Sequence, residues 1–463
     1  MSKFRSLFYP NSIAVLGATD NPARIGYVLV KNLREFGYAG RVYPVNPKLS
    51  GKELLGYNVY SSVLDIPDNI DLAVIAVSAK ASISVLKECA LKGVKSAIVL
   101  AAGFSESSLE EGKSMEFEIR KISEESGMII VGPNCLGILS APKNVCTFPE
   151  AEYHGKVGKI SAIFQSGSLL ASFMSMANIR GAYLNKGVST GNEAVTTLND
   201  FLEYFVGDPE TNVIAMYIEQ VRNGKRFIEI CRSTTKPLVA LKIGKTEIGR
   251  LAAKSHTAAL AGSIEVWNSV CRYAGIIQAN TFEQLYDFSM ALASPLKPRG
   301  RNVGIVTAPG GPSVIATDMC GEHGLAIPRL SSASIDKLKS MLPPFASVAN
   351  PIDMTASALE DLSIYHKVLE VVASDQNVDV ILVISPLTHH LEIAQTTANI
   401  ANEIRKPVVV AWTGLLNIVE LIKAMRFLGE RGIPNYFMPE RAVEAIAVML
   451  HQTQLEATKP CAS

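Results

Sequence analysis

The sequence predicts an α/β protein built from three doubly wound parallel sheets. Short apolar runs rich in Val, Ile and Leu alternate with stretches of helical spacing along the chain. The runs end in turns rich in Gly, Pro, Ser or Asn. Hydrophobic residues make up 48% of the 463 positions and charged residues 19%, a balance that suits strands covered by helices on both faces.

The first block, residues 1–141, opens with the strand "SIAVLGA" (12–18), a turn and a helical stretch near 25–36. Further strands are expected in "RVYPVNP" (41–47), "DLAVIAV" (71–77), "SAIVLAAG" (96–103) and "MIIVGPN" (128–134). The segment 141–158 reads as a linker. The second block, residues 151–293, starts at "KISAIFQSGSLLASFM" (159–174) and passes through "VIAMYIE" (213–219) and "KPLVALKIG" (236–244). It closes with a helix near 282–292, and "SPLKPRGR" (294–301) marks the next boundary. The third block, residues 299–455, begins "NVGIVTAPGGPSVIATDM" (302–319) and continues through "VDVILVIS" (378–385) and "KPVVVAW" (406–412).

Blocks two and three match in the order of four features: strand–turn–helix opening, polar turn, Asp-led strand and Lys-Pro strand. A duplicated unit explains this, and so does the grammar that all doubly wound domains share.

Composition narrows the function classes. A formal net charge of +1 gives no electrostatic case for nucleic acid or an anionic membrane. No apolar run approaches the ~20 residues of a membrane helix, and "MSKFRSLFYP" lacks the apolar core of a secretory signal. Seven cysteines, at 89, 135, 146, 231, 271, 320 and 461, form no CxxC pair. A reducing, cytoplasmic setting without disulfides or a metal site is the expectation.

Several turns carry candidate chemistry. "GATDNPARIG" (17–26) follows a strand and opens a helix, so its amides suit a phosphate, although it is not GxGxxG. The second strand ends with Asn46 and Lys48 in place of the acid that nicotinamide dinucleotide folds use. A lysine suits an extra phosphate near a ribose, which fits NADP or coenzyme A equally. "GPNCLG" (132–137) lies where open α/β sheets bind ligands, or is simply a tight turn. Cys135 has no local His or Lys to activate it. "QSGS" (165–168) and "PGGPS" (309–313) are helix N-termini. Each could hold an anion with about 0.3–1 kcal/mol when exposed, and up to about 2 when partly buried. Two such turns suggest a phosphate held from both sides.

Glu219 ends an apolar strand and could orient a histidine, or could be solvated. His256 sits in "GRLAAKSHTAALAGS" (249–263), among small residues that give it little to pack against. Two further features look like decoys. "GKT" (244–246) lacks the first P-loop glycine, because position 239 is Val. "THH" (388–390) reads as a solvated loop.

With "SIAVLGATDNPARIG", "VYPVNPK", "GPNCLG", "FQSGSLL", "STGNE", "MYIEQ" and "KSHTAALAGS" in this order, the chain resembles the α subunit of ADP-forming (NDP-forming) acyl-CoA synthetases. It is similar to the acetyl-CoA synthetase type within the succinyl-CoA synthetase superfamily. The resemblance implies an N-terminal Rossmann-like CoA-binding domain (1–141) and two flavodoxin-like ligase domains (151–293 and 299–455). It makes Gly17, Ala18, Thr19, Arg24, Asn46, Lys48, Val77, Ser78, Asn134 and Cys135 candidates for coenzyme A. It makes Gln165, Ser166, Gly167, Ser168, Gly310, Gly311 and Ser313 candidates for phosphate. His256 matches the histidine that is phosphorylated in turnover, and Glu219 the acid that pairs with it.

The implied reaction converts acyl-CoA, ADP and phosphate to acid, ATP and CoA, through an acyl phosphate and phosphohistidine. Small neighbours would let the histidine segment swing, and a dozen extended residues at roughly 3.3–3.6 Å each could bridge distant sites. The resemblance also implies an ATP-grasp β subunit in an α2β2 heterotetramer, holding most of the contacts to Mg2+ and ADP or ATP. The alternatives are an NADP-dependent oxidoreductase and a non-catalytic CoA-binding regulatory subunit.

Overall fold

In the computed structural model, the first sheet is parallel throughout. Its strands are β1 (Ser12–Leu16), β2 (Arg41–Val45), β5 (Leu72–Ile75), β6 (Ser96–Val99) and β7 (Ile129–Val131), in the order β2-β1-β5-β6-β7. A small antiparallel hairpin, β3 (Glu53–Leu54) and β4 (Tyr57–Asn58), lies outside this sheet. All residues of β1, β5 and β6 are buried, which is why these strands read as continuous apolar runs. Parallel pairing brings every strand's C-terminal end to one edge. The order reverses between β1 and β5, and that switch point is where such sheets open a crevice. The structure describes residues 3–107, 109–149, 155–251, 263–308, 310–355, 361–385, 388–414 and 416–458.

The second sheet holds β10 (Ile160–Phe164), β11 (Leu184–Ser189), β12 (Val213–Ile218), β13 (Leu238–Lys242) and β14 (Ile276–Ala279). It is extended by an antiparallel hairpin, β8 (Ile138–Ser140) and β9 (Val145–Cys146), giving the order β14-β13-β12-β10-β11-β8-β9. This corrects the linker expectation for 141–146, because the expected boundary at 141 falls inside the hairpin. Val145, Cys146 and Phe148 are fully buried, and burying them outweighs the turn signal of Pro142.

The N-terminal aromatics also join this block. Phe4 stacks on Phe201 at 4.8 Å and Phe8 on Tyr204 at 5.3 Å, both partners lying on the helix Leu198–Gly207. The first two sheets therefore belong to one unit, residues 1–175 with 183–280; a second unit comprises 176–182 with 281–463.

In the second unit the strands are β15 (Val303–Thr307), β16 (Ile352–Asp353), β17 (Val380–Ser385), β18 (Val408–Trp412) and β19 (Asn435–Phe437). Their order is β16-β15-β17-β18-β19. The helix Phe282–Ala293, expected to close the second block, packs within this unit. Its Ala291 packs with Val303, Ile305, Ala316 and Ala442. Arg180 is held in the same unit, paired with Asp287 at 2.6 Å and lying between the rings of Tyr286 and Tyr436.

Taking the strands of each block in chain order, all three parallel sheets run 2-1-3-4-5. The likeness of blocks two and three thus extends to block one, so strand order does not distinguish duplication from shared grammar. Among the described residues, no helix is long and apolar enough to cross a membrane.

Candidate active site

At the switch point of the first sheet, the chain leaves β1 through a turn that only glycine permits. Gly17 has φ +93°, and a Cβ on Gly26 would lie 2.0 Å from the Gly17 carbonyl oxygen. Of the amides in the 17–26 turn, those of Gly17 and Ala18 are engaged within the fold. Both N–H groups donate to Val45 O, at 3.0 and 3.2 Å. Asn46 likewise builds the site, donating from Nδ2 to Ala18 O at 2.6 Å and accepting Lys48 N at 2.9 Å. This bracket leaves Lys48 exposed beside the turn, with exposed Arg24 and part-exposed Thr19 on the same edge. Val77 and Ser78 follow β5, and Ser78 opens the helix Ala79–Lys92.

The "GPNCLG" turn follows β7. Asn134 adopts φ +56° and donates its N–H to Ala101 O at 2.9 Å. Cys135 is buried, its Sγ lies 3.4 Å from Val99 O, and burial pushes its thiol up to about 12. Its side chain is directed into protein.

This turn interlocks with the strand ends of the second sheet. Pro133 O accepts Asn192 N at 2.9 Å and Gly132 O accepts Ala194 N at 3.0 Å. Leu136 N donates to Ser189 Oγ at 3.2 Å. A Cβ on Gly191 would lie 2.2 Å from Pro133 O, and one on Gly167 would lie 2.6 Å from Leu136 Cγ. The 132–136 turn and the start of the helix Gly167–Arg180 are therefore in contact.

On the second sheet, Gln165 follows β10 and Glu219 follows β12. The two strands are neighbours, so their ends lie side by side. Gln165 Oε1 accepts Glu219 N at 2.5 Å and Gln220 N at 2.9 Å. Its Nε2 donates to Glu193 Oε1 and Gln220 O, both at 2.9 Å. Both side-chain amide hydrogens are spent on protein, and the side chain ties the strand ends together. Ser166, Gly167 and Ser168 open the helix, and the two serine hydroxyls are 3.3 Å apart. Ser168 is exposed and the other two are half-buried.

Three charged residues here escaped the sequence reading. Lys242, at the end of β13, donates to Glu219 O at 2.8 Å and Ile243 O at 2.5 Å; burial lowers its ammonium to about 8. Glu193 is buried at φ +57°, and burial raises its carboxyl to about 7. Arg222 Nε lies 3.8 Å from Glu193 Oε2, and its Nη2 donates to Asn192 O at 2.6 Å. The signal available was the acid closing "STGNE" directly after an apolar strand. Glu219 is itself buried, 8% exposed, and not the solvated strand-end acid of the alternative reading. His256 lies in 252–262, outside the described residues.

In the second unit, Gly310, Gly311 and Ser313 begin the helix Gly310–Glu322. Ser313 is buried and its hydroxyl donates to Gly310 O at 2.6 Å, which uses its proton within the helix. A Cβ on Gly310 would lie 2.7 Å from Asp353 Oδ2, so a carboxylate borders this N-terminus. The solvated-loop reading of "THH" is corrected at His390. That residue is buried, its Nε2 is 2.9 Å from Leu416 O, and its ring meets Trp412 edge-on at 5.6 Å.

Three doubly wound sheets, with a glycine turn at the switch point of the first and a clamped glutamate at a strand end of the second, form an open-sheet α/β protein with its candidate site at the strand ends. Family models agree along the chain: a CoA binding domain at 11–141, a succinyl-CoA ligase like flavodoxin domain at 157–292 and a ligase-CoA domain at 303–455. The acetate–CoA ligase (ADP-forming) II α subunit of Pyrococcus furiosus is 37% identical, the match covering 96% of this chain and 97% of that one. The acetate–CoA ligase (ADP-forming) I of Archaeoglobus fulgidus is 36% identical over 97% of this chain, but the chain spans only 64% of that relative's length. A dinucleotide forming acetyl-coenzyme A synthetase 1 from Ca. Korarchaeum cryptofilum, solved with phosphate and ADP, superposes with a TM-score of 0.88. It is 32% identical, with 98% of this chain and 97% of that chain covered. The chain belongs to the ADP-forming acetate–CoA ligase family, in line with the α subunits of that family. Membership does not favour the oxidoreductase or regulatory alternatives.

Proposed function

We propose that the chain is the α subunit of an ADP-forming acyl-CoA synthetase acting on acetyl-CoA or a similar small acyl-CoA. Inorganic phosphate attacks the thioester carbonyl: a C–O bond forms, the C–S bond breaks, and CoA leaves as thiol after taking a proton. His256 then attacks the phosphorus of the acyl phosphate, forming a P–N bond and releasing the carboxylate. ADP takes the phosphoryl group from the histidine to give ATP, and each step reverses. Domains divide near 1–141, 151–293 and 299–455, with the β8–β9 hairpin going to the second.

In this reading Lys48 and Arg24 meet coenzyme phosphates, with Thr19 and Ser78 lining the same edge. The amides and hydroxyls of Ser166, Gly167 and Ser168 receive the inorganic phosphate. Gly310 and Gly311 offer a second helix N-terminus to phosphate. Glu219 holds one imidazole nitrogen of His256 so that the other is nucleophilic, and supports the cation after attack. A partner β subunit of ATP-grasp type, in an α2β2 assembly, supplies most contacts to Mg2+ and ADP.

The observation that carries this reading is the interlock of the two sheet edges. The 132–136 turn touches Gly167 and the 189–194 turn, so thioester and phosphate would meet with little separation, and proximity is a large part of rate. Release of free thiol from acetyl-CoA by the complex of chain and native partner tests it. The release should require inorganic phosphate. Release at the same rate without phosphate overturns the reading.

A further inference from the structure

We infer that Glu193 is a positioning residue for phosphoryl transfer, holding the Glu219–Arg222 segment from both ends. The inference rests on the reading above, in which Glu219 partners the reacting histidine.

One carboxylate oxygen of Glu193 gathers three elements of the second sheet. Oε1 accepts from Gln165 Nε2 at 2.9 Å, Thr190 Oγ1 at 3.0 Å and Leu198 N at 3.1 Å. These come from the end of β10, the turn after β11 and the first turn of the helix Leu198–Gly207. Gln165 passes the constraint on, since its Oε1 receives the N–H groups of Glu219 and Gln220. The other oxygen, Oε2, faces Arg222 at 3.8 Å and has no hydrogen-bond partner among the described residues. Arg222 lies three residues beyond Glu219. The segment that carries the glutamate is thus fixed at its start through Gln165 and at its finish through Arg222.

A buried carboxylate is costly to maintain, and this one sits at a left-handed backbone position that bulky residues avoid. Stability alone does not account for it, because a well-packed apolar residue fills such a space at lower cost. Accurate placement of Glu219 does account for it, since a small misplacement of a reacting group costs much more in rate than in stability.

The test is a double-mutant cycle on the full chain with its native partner. It reads the initial rate of histidine phosphorylation from acetyl-CoA and radiolabelled inorganic phosphate. Glu193→Ala should lower that rate about tenfold with the KM for acetyl-CoA unchanged, and Glu193→Gln, which keeps the Oε1 bonds but loses Arg222, by a few fold. In a Glu219→Gln background neither change should cost anything further, because both act through Glu219. Should Glu193→Ala not fold, Glu193→Gln carries the same cycle. Full rate in the Glu193 variants, or losses that multiply with that of Glu219→Gln, overturns the inference. Full rate in Glu219→Gln alone overturns the underlying reading instead.

Discussion

Gln165 Oε1 accepts the backbone N–H of Glu219 at 2.5 Å. The carbonyl of Glu219 in turn accepts Lys242 Nζ at 2.8 Å. One residue is clamped on both sides by long polar side chains from the two neighbouring strands. Its backbone is thereby held at both the N–H and the carbonyl.

That clamp implies a specific outcome for Glu219→Gln. The rate of phosphoryl transfer to the chain should fall by roughly a hundredfold or more, each tenfold being about 1.4 kcal/mol of barrier. CoA affinity, set on the first sheet, should not change. Rapid-quench phosphorylation and equilibrium CoA binding measure the two separately.

Lys48→Ala should weaken CoA by about 1 kcal/mol, roughly fivefold, and leave dephospho-CoA unaffected. Lys48 is an exposed point charge held beside the turn by Asn46, which serves a phosphate better than a base. Calorimetric titration with both ligands decides this; equal losses mean that Lys48 does not meet the 3′-phosphate.

Gly191→Ala should destabilise the first unit by about 2–4 kcal/mol. The position has φ +57°, and the added Cβ would lie 2.2 Å from Pro133 O, so the two sheet edges must part. Thermal melts give the cost. Phosphate-dependent thiol release should fall with it, since the interlock joins the reacting ends.

Glu193 makes stability depend on pH. Burial raises its carboxyl from the ordinary 4.5 to about 7, while Gln165, Thr190, Arg222 and the Leu198 amide pull it down. Between these two values the folded chain holds a proton that the unfolded chain has lost. This group's contribution to stability therefore falls as pH rises from about 4.5 to about 7, and is flat above. Glu193→Gln removes that slope. The stability of the variant relative to the parent should rise by about 1–3 kcal/mol between pH 4.5 and pH 8. Paired denaturant titrations check it, and a difference that does not vary with pH contradicts the titration.

Much of the architecture was legible because parallel strands buried on both faces leave unmistakable apolar runs; "SIAVL" and "VILVIS" are examples. The β8–β9 hairpin was not, because two-residue strands beside Pro142 look like a turn until a neighbouring strand supplies their hydrogen bonds. The helix Phe282–Ala293 was legible as a helix, but its packing against Val303 and Ala442 was not, since periodicity identifies an apolar face and not what covers it. In the candidate site, the glycines and Glu219 stood out through motif order. Gln165 reads as a phosphate candidate only through the turn it shares with Ser166, Gly167 and Ser168. Its real partners, Glu193 and Glu219, come from other strand ends, 28 and 54 residues away. Lys242 was hidden inside an apolar strand for the same reason.

The most direct measurement is to map the phosphorylated residue. Chain with its native partner is labelled from acetyl-CoA and inorganic phosphate, digested at neutral pH and sequenced by mass spectrometry. The account predicts one acid-labile, base-stable phosphate on His256, absent from His256→Ala, which should still bind CoA. Label on Ser255, Thr257 or any other residue contradicts it, as does ATP formation at full rate by His256→Ala.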